Sequence, residues 1–210
     1  MAPAWPARDI RIVSPADHRR MRWKNGAGAT TEIAIDPPGS DVGGRFRWRL
    51  SIADVESSGP FSAFPGYERT IMVIAGQGMD LAVGDRPGRR LDRLFEPYVF
   101  SGDSAAECRL LEGPIRDFNL MVERSSLRSR MEVRHLEAEP RPLDLASAAR
   151  IIHCFEGLID LALPGAGWSG RLQPDCTAIF SHGNDGQGVL QVAAGTGDHA
   201  TAAIIELTPA

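Results

Sequence analysis

The chain has 210 residues, 43% of them hydrophobic and 24% charged, with a formal net charge of −4, the composition of an ordinary soluble globular protein. A chain of this length buries roughly 70% of its unfolded surface and needs no staples, and its acidic balance gives no reason to expect a nucleic-acid partner. No stretch has the length of a signal-peptide core or a membrane span, and the three widely spaced cysteines form no CxxC pair, so reduced core thiols and a cytoplasmic location are expected.

Residues 10–13 read as an opening strand, stopped by Ser14-Pro15. The basic run 19–24 is a solvated lead-in to a turn, WKNGAG, whose glycines reach positive φ. Gly26-x-Gly28 does not make a nucleotide loop, because it precedes a strand, whereas the dinucleotide fingerprint follows one. Residues 30–35 then alternate, with Thr31, Ile33 and Ile35 on one side and Thr30, Glu32 and Ala34 on the other.

The clearest alternation is at 45–55, where Phe46, Trp48, Leu50 and Ile52 face one way and Arg47, Arg49, Ser51 and Ala53 the other. A loop with two prolines and two phenylalanines covers 57–66, too apolar to float free. The β-branched run 70–74 reads as a strand buried on both faces, followed by strands at 79–83, 98–100, 108–111 and 117–122. Residues 143–150, LDLASAAR, are the best helical candidate, and 137–142 the expected linker. Turns this frequent with so little helical periodicity indicate an all-β barrel or sandwich.

The far side of the linker echoes the near side. Asp80-Leu81-Ala82-Val83 returns as Asp160-Leu161-Ala162-Leu163, and Phe100-Ser101 as Phe180-Ser181, both at a spacing of 80. Duplication of a β-barrel unit is therefore expected. The second half lacks counterparts of Arg49 and Arg69, so the site is assigned mainly to the first.

Five motifs in order over the first 120 residues carry a resemblance: WKNGAGATTEIA at 23–34, WRLSIA at 48–53, GPFS at 59–62, PGYER at 65–69 and GPIRDFNLM at 113–121. Together they resemble the HutD/Ves family of the cupin superfamily. The resemblance implies an all-β fold of two cupin-type β-barrels (a bicupin) in one chain, with little helix. The expected domains are 1–136, an N-terminal barrel carrying the ligand site, and 137–210, a C-terminal cupin-like barrel sharing strands with it. It also implies a context of histidine utilisation, with N-formylglutamate or a related dicarboxylate as ligand, and brings no established reaction.

A metal-binding cupin presents a His-x-His pair, a glutamate and a third histidine. His18, His135, His153, His182 and His199 include no such pair, so neither metal nor cofactor is expected. Cations stand there instead: Arg49, Arg69 and Arg116. Guanidinium groups bind carboxylates through paired hydrogen bonds, which selects a mono- or dicarboxylate metabolite. Lys24 and Asn25 would close over it, Thr31 and Ser51 orient it, and Glu32, Phe61 and Asn119 complete the set. The alternative is ordinary ion pairing of the three arginines with Glu32, Glu68 and Asp117.

A hydrogen bond to a charged group contributes roughly 1.5–3 kcal/mol, against an association cost of about 4–15 kcal/mol. Apolar walls have to contribute, and Phe61, Phe64, Trp48 and Met79 are the candidates. The expected function is non-catalytic carboxylate binding linked to regulation of histidine utilisation. The alternative is a metal-independent isomerase, lyase or amidohydrolase using Glu32 or Glu68. An isologous homodimer is the expected assembly, this being the common case.

Overall fold

Glycine and proline cut the chain into short extended runs, and each run finds antiparallel partners. The fold is taken from a computed structural model that describes residues 10–23, 25–145, 147–181, 188–196 and 199–210. Its described elements are strands, apart from two single 3₁₀ turns at Pro15–Asp17 and Pro164–Ala166. No helix among the described residues is long and apolar enough to cross a membrane.

The chain forms two compact units. The first comprises His18–Arg128, and the second Ser129–Pro209 together with the segment ending at Asp17. In the first unit, β2 (Arg19–Arg22), β3 (Gly28–Asp36), β4 (Trp48–Val55), β6 (Tyr67–Ala75), β9 (Tyr98–Ser101) and β11 (Ile115–Glu123) form a sheet of order β2-β3-β4-β11-β6-β9. A second sheet, β5-β10-β7-β8, is made of β5 (Gly59–Phe61), β7 (Met79–Val83), β8 (Arg89–Leu91) and β10 (Ala106–Leu110). The two sheets share a core in which Ala53, Ile71 and Val73 meet Met79, Leu81 and Cys108.

In the second unit, β1 (Ile10–Val13), β12 (Leu127–Leu136), β14 (Ala149–Glu156), β17 (Thr177–Ser181) and β19 (Ala200–Pro209) take the order β1-β17-β14-β19-β12. Beside them, β13 (Arg141–Asp144), β15 (Ile159–Leu163), β16 (Trp168–Leu172) and β18 (Val189–Ala194) take the order β13-β18-β15-β16. Ile152, Phe180 and Ile204 of the larger sheet share a core with Leu161, Leu172 and Leu190 of the smaller.

Raising each strand number by eight turns β4-β11-β6-β9 into β12-β19-β14-β17, and β5-β10-β7-β8 into β13-β18-β15-β16. The repeat seen in sequence is thus a repeat of sheet topology. Its glycines serve the same close approach: Gly76 has φ +94° and a Cβ there would lie 2.6 Å from the Pro114 carbonyl oxygen. Gly157 has φ +76°, with the His199 carbonyl oxygen 2.4 Å away.

Two features differ from the sequence reading. The division falls at Arg128/Ser129 rather than 136/137, and residues 10–17 join the second unit. There β1 pairs antiparallel with β17, Ile10 opposite Phe180, which covers an otherwise open edge. The expected helix at 143–150 is absent: residues 143 and 144 end β13, with Leu143 opposite Leu190, and residues 149 and 150 begin β14. Pro140 and Pro142 break the approach to any helix there, and burial of Leu143 and Leu145 overrides the local preference of an alanine-rich run. The expected linker likewise runs into β13.

Candidate functional site

A cavity of about 570 Å³ opens in the first unit, floored by the six-stranded sheet. Its chemistry follows from strand register, since directly opposed residues share a face. On β4 the odd positions Arg49, Ser51 and Ala53 line it. Met121, Asn119 and Asp117 of β11 lie opposite these three in turn, and Arg69 of β6 lies opposite Met121. On the other side of β4, Thr30 and Glu32 oppose Ala53 and Ser51, after which a bulge between Glu32 and Ala34 shifts the register. Gly28 lets β3 begin against β4, because a Cβ there would lie 2.2 Å from the Asp54 carbonyl oxygen.

Arg49 is 4% exposed, and its Nε donates to Glu32 Oε2 at 2.7 Å. Arg69 is 5% exposed. Its Nη1 donates to the Ser62 carbonyl at 3.1 Å and its Nη2 to Asn119 Oδ1 at 3.1 Å. The rings of Phe100, Phe64 and Phe61 surround the same guanidinium at 4.9, 5.6 and 5.9 Å, a cation–π setting that also strips it of water. Burial lowers the Arg69 pKa to about 10, with Arg49 adding to the effect and Asp117 opposing it, so Arg69 stays charged at neutral pH. Its Nε is buried without a hydrogen-bond partner.

Asn119 passes the contact on by donating through Nδ2 to Asp117 Oδ1. Asp117 is 1% exposed, and its Oδ2 has no partner. Burial raises its pKa from 3.8 to about 7, against the pull of Asn119 and Arg69, while Asp54 pushes the same way as burial. Glu32 offsets Arg49, and below about pH 7 Asp117 is protonated, so under those conditions Arg69 is left as an uncompensated positive charge. That charge suits one carboxylate group held deep in the cavity.

The walls are apolar. Phe64 meets Tyr67 edge-on, and the Tyr67 hydroxyl donates to the Phe46 carbonyl at 2.8 Å. Trp23 meets Phe61 edge-on, and its Nε1 donates to Thr30 Oγ1 at 2.7 Å.

Among the expected site residues, Asn25, Arg49, Ser51, Phe61, Arg69 and Asn119 line this cavity, and Glu32 joins it through Arg49. Lys24 lies outside the described residues. Thr31 is misplaced: it opposes Ile52 on the other face of the sheet, and Thr30 takes its role. Arg116 is exposed and pairs with Asp54, not Asp117, Nε to Oδ1 at 3.2 Å. Strand alternation sends it away from Asp117 and Asn119. Glu68 is excluded from the face of Arg69 by the same rule. Trp48 is buried on the opposite face of β4 from Arg49, and Met79 is packed in the core between the sheets. Asp117 was missed as a site member, although its spacing of two from Asn119 was the available signal.

Contrary to expectation, the second unit does hold a buried counterpart of Arg69: Arg150 stands 150 − 69 = 81 residues after it, and Arg130 stands 130 − 49 = 81 after Arg49 but is exposed. The turn Gly76–Asp80 is one residue longer than Gly157–Asp160, so a spacing of 80 holds after it and 81 before it.

A second hollow in the first unit, about 600 Å³, lies over Gly44, Arg45, Glu123 and Arg124. Its charges are taken up by each other at the surface, with Arg45 on Glu123 and Arg124 on Asp103. None of the described histidines lines the main cavity: His153 is buried on Thr177 Oγ1 at 2.8 Å, and His182 lies outside the described residues. No group of three or more His, Cys, Asp or Glu that could hold a metal occurs among the described residues. The three cysteines are buried and free. Burial and the nearby Asp117 carboxylate push the Cys108 thiol up to about 12.

The HutD family model matches residues 15–200. A 21.2 kDa Pseudomonas putida protein from the hutC 3′ region is 47% identical over 123 residues, 59% of this chain and 63% of its own length. Protein Ves of Escherichia fergusonii is 36% identical over 112 residues, 53% of this chain and 56% of its own. The chain thus spans less than two thirds of the length of these curated relatives. A solved conserved protein from Pseudomonas aeruginosa PAO1 superposes with TM-score 0.85 at 36% identity, covering 95% of this chain and 98% of that one. HutD from Pseudomonas fluorescens SBW25 (formate condition) gives 0.79 at 33% identity, covering 96% and 99%. A cupin 2 conserved barrel domain protein from Leptotrichia buccalis, 8% identical with TM-score 0.56 over 90% and 96% of the two chains, shows that the fold is cupin-like.

Proposed function

The chain belongs to the HutD family, and from that premise we propose that it is a two-barrel, metal-independent cupin that binds a small carboxylate in its first unit and performs no chemistry on it. The observation that carries this reading is the placement of Arg49 and Arg69, both buried, on the floor of one cavity. Glu32 occupies only the Nε side of Arg49, and Met121 presents no charge to either arginine. Phe61, Phe64 and Trp23 supply the apolar walls that the energetics require.

The ligand class is an N-formylglutamate-like mono- or dicarboxylate. It is supported by the hutC-region relative and by the HutD structure described in a formate condition, formate being the smallest carboxylate. The role is to adjust histidine utilisation in the cytoplasm by sensing an abundant metabolite, as a homodimer.

Thermal-shift and calorimetric titration with formate, N-formylglutamate, glutamate, urocanate and histidine test it. The expected result is a rise in Tm for at least one carboxylate, with Kd in the micromolar to millimolar range, and at least a tenfold loss in Arg49→Ala. Absence of any shift at millimolar carboxylate, or binding unaffected by Arg49→Ala, overturns it.

One observation favours an enzymatic reading. The buried Asp117 has a pKa near 7 and an unpartnered Oδ2 beside the cavity, the properties of a general acid or base. Glu32 is engaged by Arg49, and Glu68 lies on the other face of β6 from Arg69. Turnover of N-formylglutamate that disappears in Asp117→Asn would establish this alternative.

A further inference from the structure

The repeat of topology carries the cavity with it. In the second unit a hollow of about 250 Å³ is bordered by Arg130, Glu132 and Arg134 of β12, Arg150 of β14, and Ile204 and Glu206 of β19. These strands stand where β4, β6 and β11 stand in the first unit.

The correspondence holds around Arg69 and Arg150, whereas Arg130, unlike the buried Arg49, is exposed. Arg69 opposes Phe100 on one side and Met121 on the other. Arg150 opposes Phe180 and Glu206. Arg69 Nη1 donates to the Ser62 carbonyl at 3.1 Å, and Arg150 Nη2 donates to the Asp144 carbonyl at 2.8 Å. Ser62 and Asp144 are equivalent, each following a residue that faces the neighbouring strand in the same register, Phe61 on Ala106 and Leu143 on Leu190. Arg150 is 7% exposed, and its Nε, like that of Arg69, is buried without a partner.

One difference decides what each cavity does. Opposite Arg69 stands the apolar Met121, whereas opposite Arg150 stands Glu206, whose Oε1 lies 3.0 Å from Arg150 Nη2. In the second unit a carboxylate already sits on the guanidinium, and it comes from the chain itself.

We propose that the second cavity is an anion site of the same design, closed by Glu206, whose carboxylate takes the place that a small monocarboxylate would occupy. Its geometry stands on the second unit alone; its ligand class rests on the reading of the first cavity. Glu132 engages both other cations of the hollow, Arg134 Nη2 to Oε1 at 2.5 Å and the exposed Arg130 Nη2 to Oε2 at 3.7 Å, so Arg150 is the group that removal of Glu206 would leave for a ligand.

The test is calorimetric titration of the full chain with formate in an Arg49→Ala background, which weakens the first cavity. Arg49→Ala alone should bind formate at least tenfold more weakly than the wild type, and Arg49→Ala with Glu206→Met should bind one further equivalent, lost again on adding Arg150→Met. Glu206→Gln, which keeps side-chain volume and the acceptor for Arg150, replaces the methionine variant if that fails to fold. No further uptake by either double variant at roughly 100 mM formate, a hundredfold above a millimolar Kd, overturns the proposal. Further uptake that survives Arg150→Met overturns it as well. Failure of the first-cavity reading gives a different result: no formate bound by the wild type, or binding insensitive to Arg49→Ala, with the step from single to double variant still measuring the second site.

Discussion

Asp117 is the residue where protonation and structure meet. It faces Arg69 from β6, while Asp54 of β4 and Cys108 of β10 are the other titratable groups coupled to it. Because burial raises its folded pKa to about 7 from 3.8, the folded chain keeps a proton that the unfolded chain releases. Between about pH 4 and pH 7 the folded state therefore binds more protons, and this group's contribution to stability falls as pH rises, levelling off above about 7. Asp117→Asn should flatten that part of the Tm-versus-pH profile, measured in buffers of matched ionic strength. A variant profile parallel to the wild type would contradict the assignment. The same ionisation sets anion against anion, so carboxylate affinity should weaken as pH passes about 7, and less so in Asp117→Asn.

Among the elements, β1 has the clearest separable role. It is four residues long and, among the described residues, its only strand partner is β17, with four opposed pairs from Ile10–Phe180 to Val13–Thr177. Removing it uncovers the backbone edge of β17, a ready template for pairing with another chain. A variant beginning at His18 should lose roughly 1–3 kcal/mol, a large single-site effect on the usual scale. It should also gain concentration-dependent association, read by denaturant melts and light scattering. Unchanged stability and a monodisperse sample would show that β17 needs no cover. On β3, the bulge between Glu32 and Ala34 explains the misassignment of Thr31. Alternation holds along β4, but on β3 the bulge leaves Thr31 opposite Ile52 and Ile35 opposite Arg49, so the two do not share a face, and one residue of slip exchanges the faces.

At the scale of the whole molecule, internal duplication is the organising fact, and sequence showed it only in part. Asp80/Asp160 and Phe100/Phe180 announced it at a spacing of 80, but one residue fewer in the turn after Gly157 moved the arginine pairs to 81. What the sequence by itself determined was local: the all-β class from its turn punctuation, the presence of strands at 48–55 and 70–74, and the cationic character where a metal cupin would carry histidines. What only the tertiary structure decided was non-local: that Asp117 faces Arg69 while Arg116 turns to Asp54, that residues 143–144 and 149–150 belong to strands, that β1 joins the second unit, and that Arg150 meets Glu206. A period of two fixes that neighbours point to opposite faces, but the choice of inner face is made by a partner strand many residues away. That pairing is set by the burial of whole sheets against each other.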